Sequence, residues 1–400
     1  MRDDWGRLLS LLVARFHRLD LAEDALADAV EAAARAWPRD GVPTNGAGWL
    51  YTAARRRALD RLRAEAVHRR VEPSLAVPVP SEDPADLGDP GRVDDELLRL
   101  VLLCAHPALD PAGASALTLR LVLGVGTADI ARLFLVPQAT MAARLTRAKR
   151  KIVAAGLPFT LPGAGVLPER LDAVARTAYL AFTAGYSPGE GPDAQRAELA
   201  GEAVRLVRLV RRLVPGEAVL EALLALMLLQ HSRRDARVDA AGALVVLAEQ
   251  DRARWRHDEI AEGLTLLSST VLAQPLSGLA ASYTLQAAIA REHALALDPT
   301  TTRWDVVVRL YDALLEIDPS PAAALARAVA VAEDAGPAAG LAALRGVHLP
   351  NSHRMAVVRA ELLARTGDVV AARASYDEAL AACPNDTERE HLRKRRALLG

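Results

Sequence analysis

The chain has 400 residues, a formal net charge of −1 and 51% hydrophobic side chains, with only 4% aromatics. That length exceeds one typical domain and points to two or three, and the near-neutral total leaves any nucleic-acid affinity to local patches. Cys104 and Cys383, far apart, exclude a disulfide framework and a cysteine-rich metal cluster. Acids among the apolar residues of the first thirty positions exclude a signal peptide. No apolar run reaches the ~20 residues of a membrane span, since the longest, Val219 to Leu229, is interrupted by Glu221. The expectation is a cytoplasmic protein with no membrane contact. No segment sustains a period-two alternation of β-branched residues, so the fold class is all-α. Three lysines (Lys149, Lys151, Lys394) stand beside many arginines, a composition bias that leaves a lone arginine with little meaning.

Trp5 to Phe16 is amphipathic. Asp20 to Trp37 places Leu21, Ala25, Ala29 and Ala33 on one face, with Glu23, Asp24, Asp28 and Glu31 on the other. Pro38 to Gly48 reads as a loop. Trp49 to Arg63 is a third helix, in which Leu50, Ala54, Ala58 and Leu62 point inward. Arg55, Arg56, Arg57, Arg61 and Arg63 leave a cationic surface with Trp49 and Tyr51 at its start. Aromatics beside arginines suit single-stranded DNA, where bases stack and phosphates pair; a solvated arginine face with Trp49 buried is the other reading. Residues 71–100 carry five prolines and eight acids against two bases, a net of −6, and read as an acidic linker over 71–95, mobile to about Arg92.

Gly126 to Lys151 reads as helix, tight turn, helix. Thr127 suits an N-cap and Asp129 the first turn. Ile130, Leu133 and Phe134 form an apolar face. Pro137 stops one helix and suits the first turn of the next. In that second helix Met141, Leu145, Ala148 and Ile152 recur at helical spacing, while Gln138, Thr140, Arg144, Arg147, Arg150 and Lys151 lie off the stripe. Residues 101–156 hold seven basic side chains, Lys149 among them, against two acids, a net of +5. A basic second helix after a tight turn is the form of a helix-turn-helix in a major groove, and the charge is the footprint of phosphate binding.

The order of acidic helix, Trp-Leu-Tyr-Thr-Ala-Ala-Arg-Arg-Arg-Ala-Leu-Asp-Arg-Leu-Arg helix, linker and basic helix-turn-helix resembles the bacterial extracytoplasmic-function (ECF) sigma factors. More narrowly, Phe134 to Pro137 and Glu249 to Trp255, with the long C-terminal part, resemble the subgroup carrying a helical-repeat extension. The resemblance implies region 2 over residues 1–70 and region 4 over 96–156. It implies that Glu23, Asp24 and Asp28 dock on the clamp helices of the polymerase β′ subunit, with the β flap as a further contact. Trp49, Tyr51, Arg55, Arg56, Arg57, Asp60, Arg61 and Arg63 would then serve the −10 element. Gln138, Thr140, Arg144, Arg147, Lys149, Arg150 and Lys151 would read the −35 element. The turn departs from the usual pattern, with Leu135 where many such motifs use glycine.

Residues 160–400 repeat a spacing of four, three and five: Ala203, Val207, Val210, Pro215; Val307, Tyr311, Leu314, Pro319; and Ala372, Tyr376, Ala379, Pro384. That is the second half of a tetratricopeptide repeat, with a degenerate repeat over about 322–347; generic helical hairpins are the alternative. Either way a helical solenoid or bundle is expected, presenting a surface to an unidentified partner.

No catalytic constellation appears, and neither a cofactor nor a metal is expected. His257, Asp258 and Glu259 point in three directions on a helix. Gly185 to Gly191 lacks the Lys-Ser/Thr of a phosphate loop and reads as a turn. Asp251, Arg252, Arg254 and Trp255 suit helix caps and charge pairs around a core tryptophan better than a groove. The chain therefore reads as a non-enzymatic sigma factor that binds core RNA polymerase and promoter DNA. The alternatives are a stand-alone helix-turn-helix regulator and a cytoplasmic repeat scaffold. The extension is expected to be required for activity rather than inhibitory.

Overall fold

The structure is a computed structural model that describes residues 4–69, 90–134, 136–186, 197–240, 242–272, 276, 278–349 and 352–399. The linker over 71–89, Leu135 of the expected turn, and residues 187–191 of the glycine-containing segment lie outside the described residues. Among the described residues the architecture is all-α, with eighteen α-helices and no strand beyond one isolated bridge, Val238 to Leu244. Among those residues no helix is long and apolar enough to cross a membrane. The chain divides into two compact units, residues 1–180 and 181–400.

The first unit begins with α1 (Trp5–Phe16), α2 (Leu19–Asp40) and α3 (Gly46–Arg69). Leu21, Ala25, Ala29 and Ala33 of α2 and Leu50, Ala54 and Ala58 of α3 are buried, as their helical spacing requires. Leu62 is only half-buried. The loop between α2 and α3 is shorter than expected. Pro38 sits in the last turn of α2, and Gly41, at φ +83°, ends that helix. α3 starts at Gly46, where Asn45 Oδ1 accepts from the Gly48 amide at 2.8 Å.

The next helix, α4 (Pro90–Cys104), begins inside the stretch read as linker. Val93, Leu97, Leu98 and Val101 explain it: they recur at helical spacing and are buried, and α4 packs against α1. α5 (Pro111–Leu121) is capped by Asp110, whose carboxylate accepts from the Gly113 amide. α6 (Thr127–Leu133), α7 (Gln138–Ala154) and α8 (Leu167–Tyr186) follow. A methyl group at Gly6 would lie 2.3 Å from the Val122 carbonyl oxygen, so glycine is what allows α1 its approach to the end of α5. The start of α8 completes this unit. Its Leu171, Val174 and Ala175 are buried, Arg170 donates to the Leu102 carbonyl at 2.6 Å, and Ser115 donates to the Thr177 carbonyl at 3.1 Å.

In the second unit α9 (Ala197–Leu213) precedes α10 (Ala218–His231), apolar around most of its circumference apart from Glu221 and buried along nearly its whole length, as a helix of that composition must be. α9, α11 (His257–Leu272) and α12 (Gly278–Leu295) pack around it. From α12 onward each helix packs on the next: α13 (Trp304–Ile317), α14 (Pro321–Ala335), α15 (Pro337–Leu344), α16 (His353–Thr366), α17 (Val369–Ala382) and α18 (Asp386–Ala397). The stretch read as a degenerate repeat is a helical hairpin with a short second helix. Gly336, at φ +92°, separates α14 from α15, and Gly340 lies so close to Ala332 that a Cβ there would be 2.4 Å from its methyl.

His231 ends α10, buried, hydrogen-bonded through Nδ1 to the Tyr186 hydroxyl. Burial, with the Arg234 and Arg237 charges, lowers its pKa to about 4. Burial likewise lowers that of His293 to about 4, aided by Arg233 and Arg252. A histidine held neutral by the fold takes up its proton first in the unfolded chain, so the unfolded state binds more protons between about pH 6.5 and 4. Stability is therefore full above the unfolded pKa and lost as pH falls through that window, by roughly 2–3 kcal/mol per imidazole. Urea unfolding at pH 7 and pH 4.5 should show this loss, and His231→Gln should flatten the dependence.

Candidate nucleic-acid interface

The two helices α6 and α7 form the turn-joined pair expected from the sequence. The cap differs: Gly126, not Thr127, occupies the position before α6 and makes no side-chain bond. Asp129 lies in the first turn and pairs with Arg132 at 2.9 Å. The chain closes on itself when the Val136 amide donates to the Ala131 carbonyl at 3.0 Å, and Pro137 then precedes α7. Ile130, Ala131 and Leu133 meet Met141, Leu145, Ala148 and Ile152 in a buried seam, while Phe134 is half-buried.

That seam turns the other face of α7 outward. Gln138, Thr140, Arg147, Arg150 and Lys151 are exposed and Arg144 half-buried. Among the described residues none of the four cations has a carboxylate partner. Gln138 and Thr140 sit in the first turn, the part of a recognition helix that meets base edges in a major groove. The cations follow where phosphates would flank it.

Lys149 is different. Its Nζ donates to Glu23 Oε2 at 2.9 Å, and Arg120 Nε of α5 donates to Glu23 Oε1 at 2.7 Å. Glu23 is 5% exposed. The carboxylate read from sequence as a docking group for another protein is thus bound inside the unit, by one of the cations assigned to DNA. Arg120 also lies over the Trp5 ring, 5.3 Å from its centroid. Nothing in the sequence marked Arg120 or Trp5, because the contact joins residues about a hundred positions apart.

The arginine face of α3 is partly tied up as well. Arg61 pairs with Asp28 at 2.8 Å and Asp24 at 3.4 Å. Arg63 pairs with Asp60 at 3.3 Å. Arg56 and Arg57 are exposed and Arg55 half-buried. Trp49 is half-buried, edge-on to Trp37 with centroids 5.7 Å apart. Tyr51 is 4% exposed, which corrects its placement on the nucleic-acid surface: one position after Leu50 and three before Ala54, it borders the core stripe and its ring is buried. The structure gathers Trp49, Arg55, Arg56, Arg57, Asp60 and Arg63 on α3, gathers the α7 set on a separate helix, and leaves Asp24 as the more open member of the acidic set, at 68% side-chain exposure against 34% for Asp28.

Comparison with known families places these helices. Residues 5–67 match the family model for sigma-70 region 2, and residues 99–152 match that for sigma-70 region 4. Residues 170–271 match a family of unknown function (DUF6596). An uncharacterized protein of Rhizobium meliloti (strain 1021) is 39% identical over 392 residues, covering 96% of this chain and 91% of its own length. No solved structure matches.

Glu23→Gln removes the negative charge shared by Arg120 and Lys149 and one of its two acceptor oxygens, and should cost about 1–3 kcal/mol of stability. It should also free Lys149, so the salt slope for duplex DNA, log K against log salt, should steepen by about 1. Denaturant unfolding and a salt titration by fluorescence anisotropy check the two effects.

Proposed function

We propose that this chain, which belongs to the sigma-70 family and directs promoter-specific transcription initiation, is a sigma factor of the ECF type whose C-terminal extension, a solenoid of the tetratricopeptide kind, is needed for activity. The observation that carries the reading is the outward face of α7, where Gln138, Thr140, Arg144, Arg147, Arg150 and Lys151 stand opposite a fully apolar buried seam. Core RNA polymerase and promoter DNA are the partners. The chain then works in the cytoplasm, by binding rather than by covalent chemistry. A stand-alone regulator would have no use for region 2, and a scaffold none for either region.

Residues are assigned as follows. The first turn of α7 and its cations read the −35 element, with Lys149 joining them once released by Glu23. Trp49, Arg55, Arg56, Arg57, Asp60 and Arg63 of α3 serve the −10 element. Asp24 and Asp28, with Glu23 when it is free, meet the clamp helices of β′, and region 4 meets the β flap.

The two readers cannot serve a promoter in the arrangement seen. A compact unit of this length is about 40 Å across, whereas the −10 and −35 elements lie about 25 base pairs, or about 85 Å, apart. Binding therefore separates α7 from α2, and the Glu23 pairs break. We assign the compact form to the free protein and the open form to the polymerase-bound one.

The extension is read as required because the relative that matches 96% of this chain carries it too; α8, most of which falls within the matched segment, also supplies buried residues to the unit that carries both readers. Cutting after Gly156 would strip α8 from that core, so the informative truncation ends after Tyr186. Run-off transcription with core polymerase should fall at least tenfold for that truncation; equal or greater activity would make the extension inhibitory. In the full chain Arg147→Ala should cost about 1–3 kcal/mol of promoter affinity and relax specificity at one base pair if it pairs with guanine. A uniform loss would mean a phosphate contact, and no loss would remove α7 from the DNA.

A further inference from the structure

The second unit holds a cavity of about 770 Å³, within the ~300–1,000 Å³ range of small-molecule sites. One wall is the connection between α10 and α11, folded back on itself by the Val238–Leu244 bridge, the Val245 amide bond to the Arg237 carbonyl at 2.9 Å, and Gly242 at φ +81°. The other wall is the facing surface of α14 and α16, with Leu325, Val329, Val357 and Val358.

The arginines of this region sort into two groups. Arg234 is held by Glu259 through two bonds, Arg256 by Asp235, and Arg252 by the carbonyls of His293 and Ala296. These are structural. Arg233, Arg237 and Arg354 line the cavity, and among the described residues none of the three has a carboxylate partner. Arg237 lies over the Tyr186 ring at 4.0 Å from its centroid, gives one bond to the Gln230 carbonyl at 3.3 Å, and leaves its Nε without a partner. Arg233 faces the Trp255 ring at 5.9 Å. It keeps some accessible surface where it lines the cavity, yet desolvation and the neighbouring Arg237 charge lower its pKa to about 9, so it stays charged at neutral pH. Among the described residues the lining has one carboxylate, Glu388, whose Oε1 lies 3.0 Å from His353 Nε2 and whose buried Oε2 has no partner.

Two close guanidinium groups, repelling each other and drawn from water, are costly unless an anion offsets them. Aromatic faces supply part of that offset. The rest of the lining is mainly valine and leucine, which fits no free inorganic ion but suits a hydrocarbon body.

We infer that this cavity is a binding site for a small organic anion, its carboxylate or phosphate headgroup between Arg233 and Arg237 and its apolar body against α14 and α16. The extension is then a ligand-binding module, whatever its effect on transcription. Headgroup and body are bound by different chemistry, so they can be tested apart.

The experiment is isothermal titration calorimetry of the full chain with decanoate, decyl phosphate and 1-decanol. One of the two anions should bind saturably at one site per chain, at least tenfold more tightly than the alcohol, and the better anion identifies the headgroup. Arg233→Gln and Arg237→Gln should each weaken that binding at least tenfold, while Arg176→Gln, outside the cavity, should not. Equal affinity for anion and alcohol, or saturable binding of neither anion, overturns the site. So does unchanged anion affinity in both cavity variants. If those variants fail to fold, the anion-to-alcohol ratio on the native chain decides alone. Because no polymerase or DNA enters this measurement, its failure leaves the promoter reading intact.

Discussion

A carboxylate drawn almost completely out of water is tolerable only where positive partners replace its hydration. Glu23 meets that condition twice over, from Arg120 and from Lys149. The contact ties α2, α5 and α7 together, and the surroundings are arranged to allow it: Arg120 is backed by the Trp5 ring, and Gly6 admits α1 against the end of α5. A carboxylate proposed to dock on polymerase and a lysine proposed to meet DNA satisfy each other in this structure. The packing of α1 on α4 adds to this closure through apolar side chains and an exposed Arg7–Asp94 pair at 3.7 Å. The Glu23 pairs differ in being buried and in involving groups proposed to meet polymerase and DNA, which makes them the contact most directly exchanged in the proposed opening.

The helices were legible in the sequence because their apolar residues recur at helical spacing. The seam of Met141, Leu145, Ala148 and Ile152, the small-residue stripe of α2 and the outward cations of α7 could all be read from position alone. The ends were less legible. α3 begins earlier and α4 intrudes on the acidic stretch, because a proline at a first position and a valine-leucine stripe outweigh a run of acids. Tyr51 was misplaced because an aromatic beside arginines reads alike whether its ring faces solvent or core. The pairing of Glu23 was beyond the sequence. In a chain with 49 basic and 50 acidic side chains, nothing local selects which ones meet.

The second unit repeats that lesson. The recurring Tyr311 and Tyr376 motifs mark real helices, and Tyr376 is buried in the cluster that joins α16, α17 and α18. The sequence also placed Trp255 in a core rather than a groove, and it is 4% exposed with Arg252 stacked 4.5 Å from its ring. What spacing could not supply was the cavity beside it. Arg233 and Arg234 are neighbours in the chain, yet one is held by Glu259 and the other is left facing the void. Only the fold of the connection between α10 and α11 separates them.

The central claim, that one chain closes through Glu23 when free and opens to span a promoter, can be measured as a distance. Spin labels placed at Val42 and Val153, exposed at 70% and 76% and outside the residue sets proposed to touch DNA, report on α2–α3 and α7 respectively. Cys104 and Cys383 are buried and can be replaced by serine to keep labelling specific. Double electron–electron resonance on the free chain should give one distance within the roughly 40 Å of a compact unit, shifting beyond about 60 Å on adding core polymerase and promoter DNA. The same short distance in both states would contradict the account.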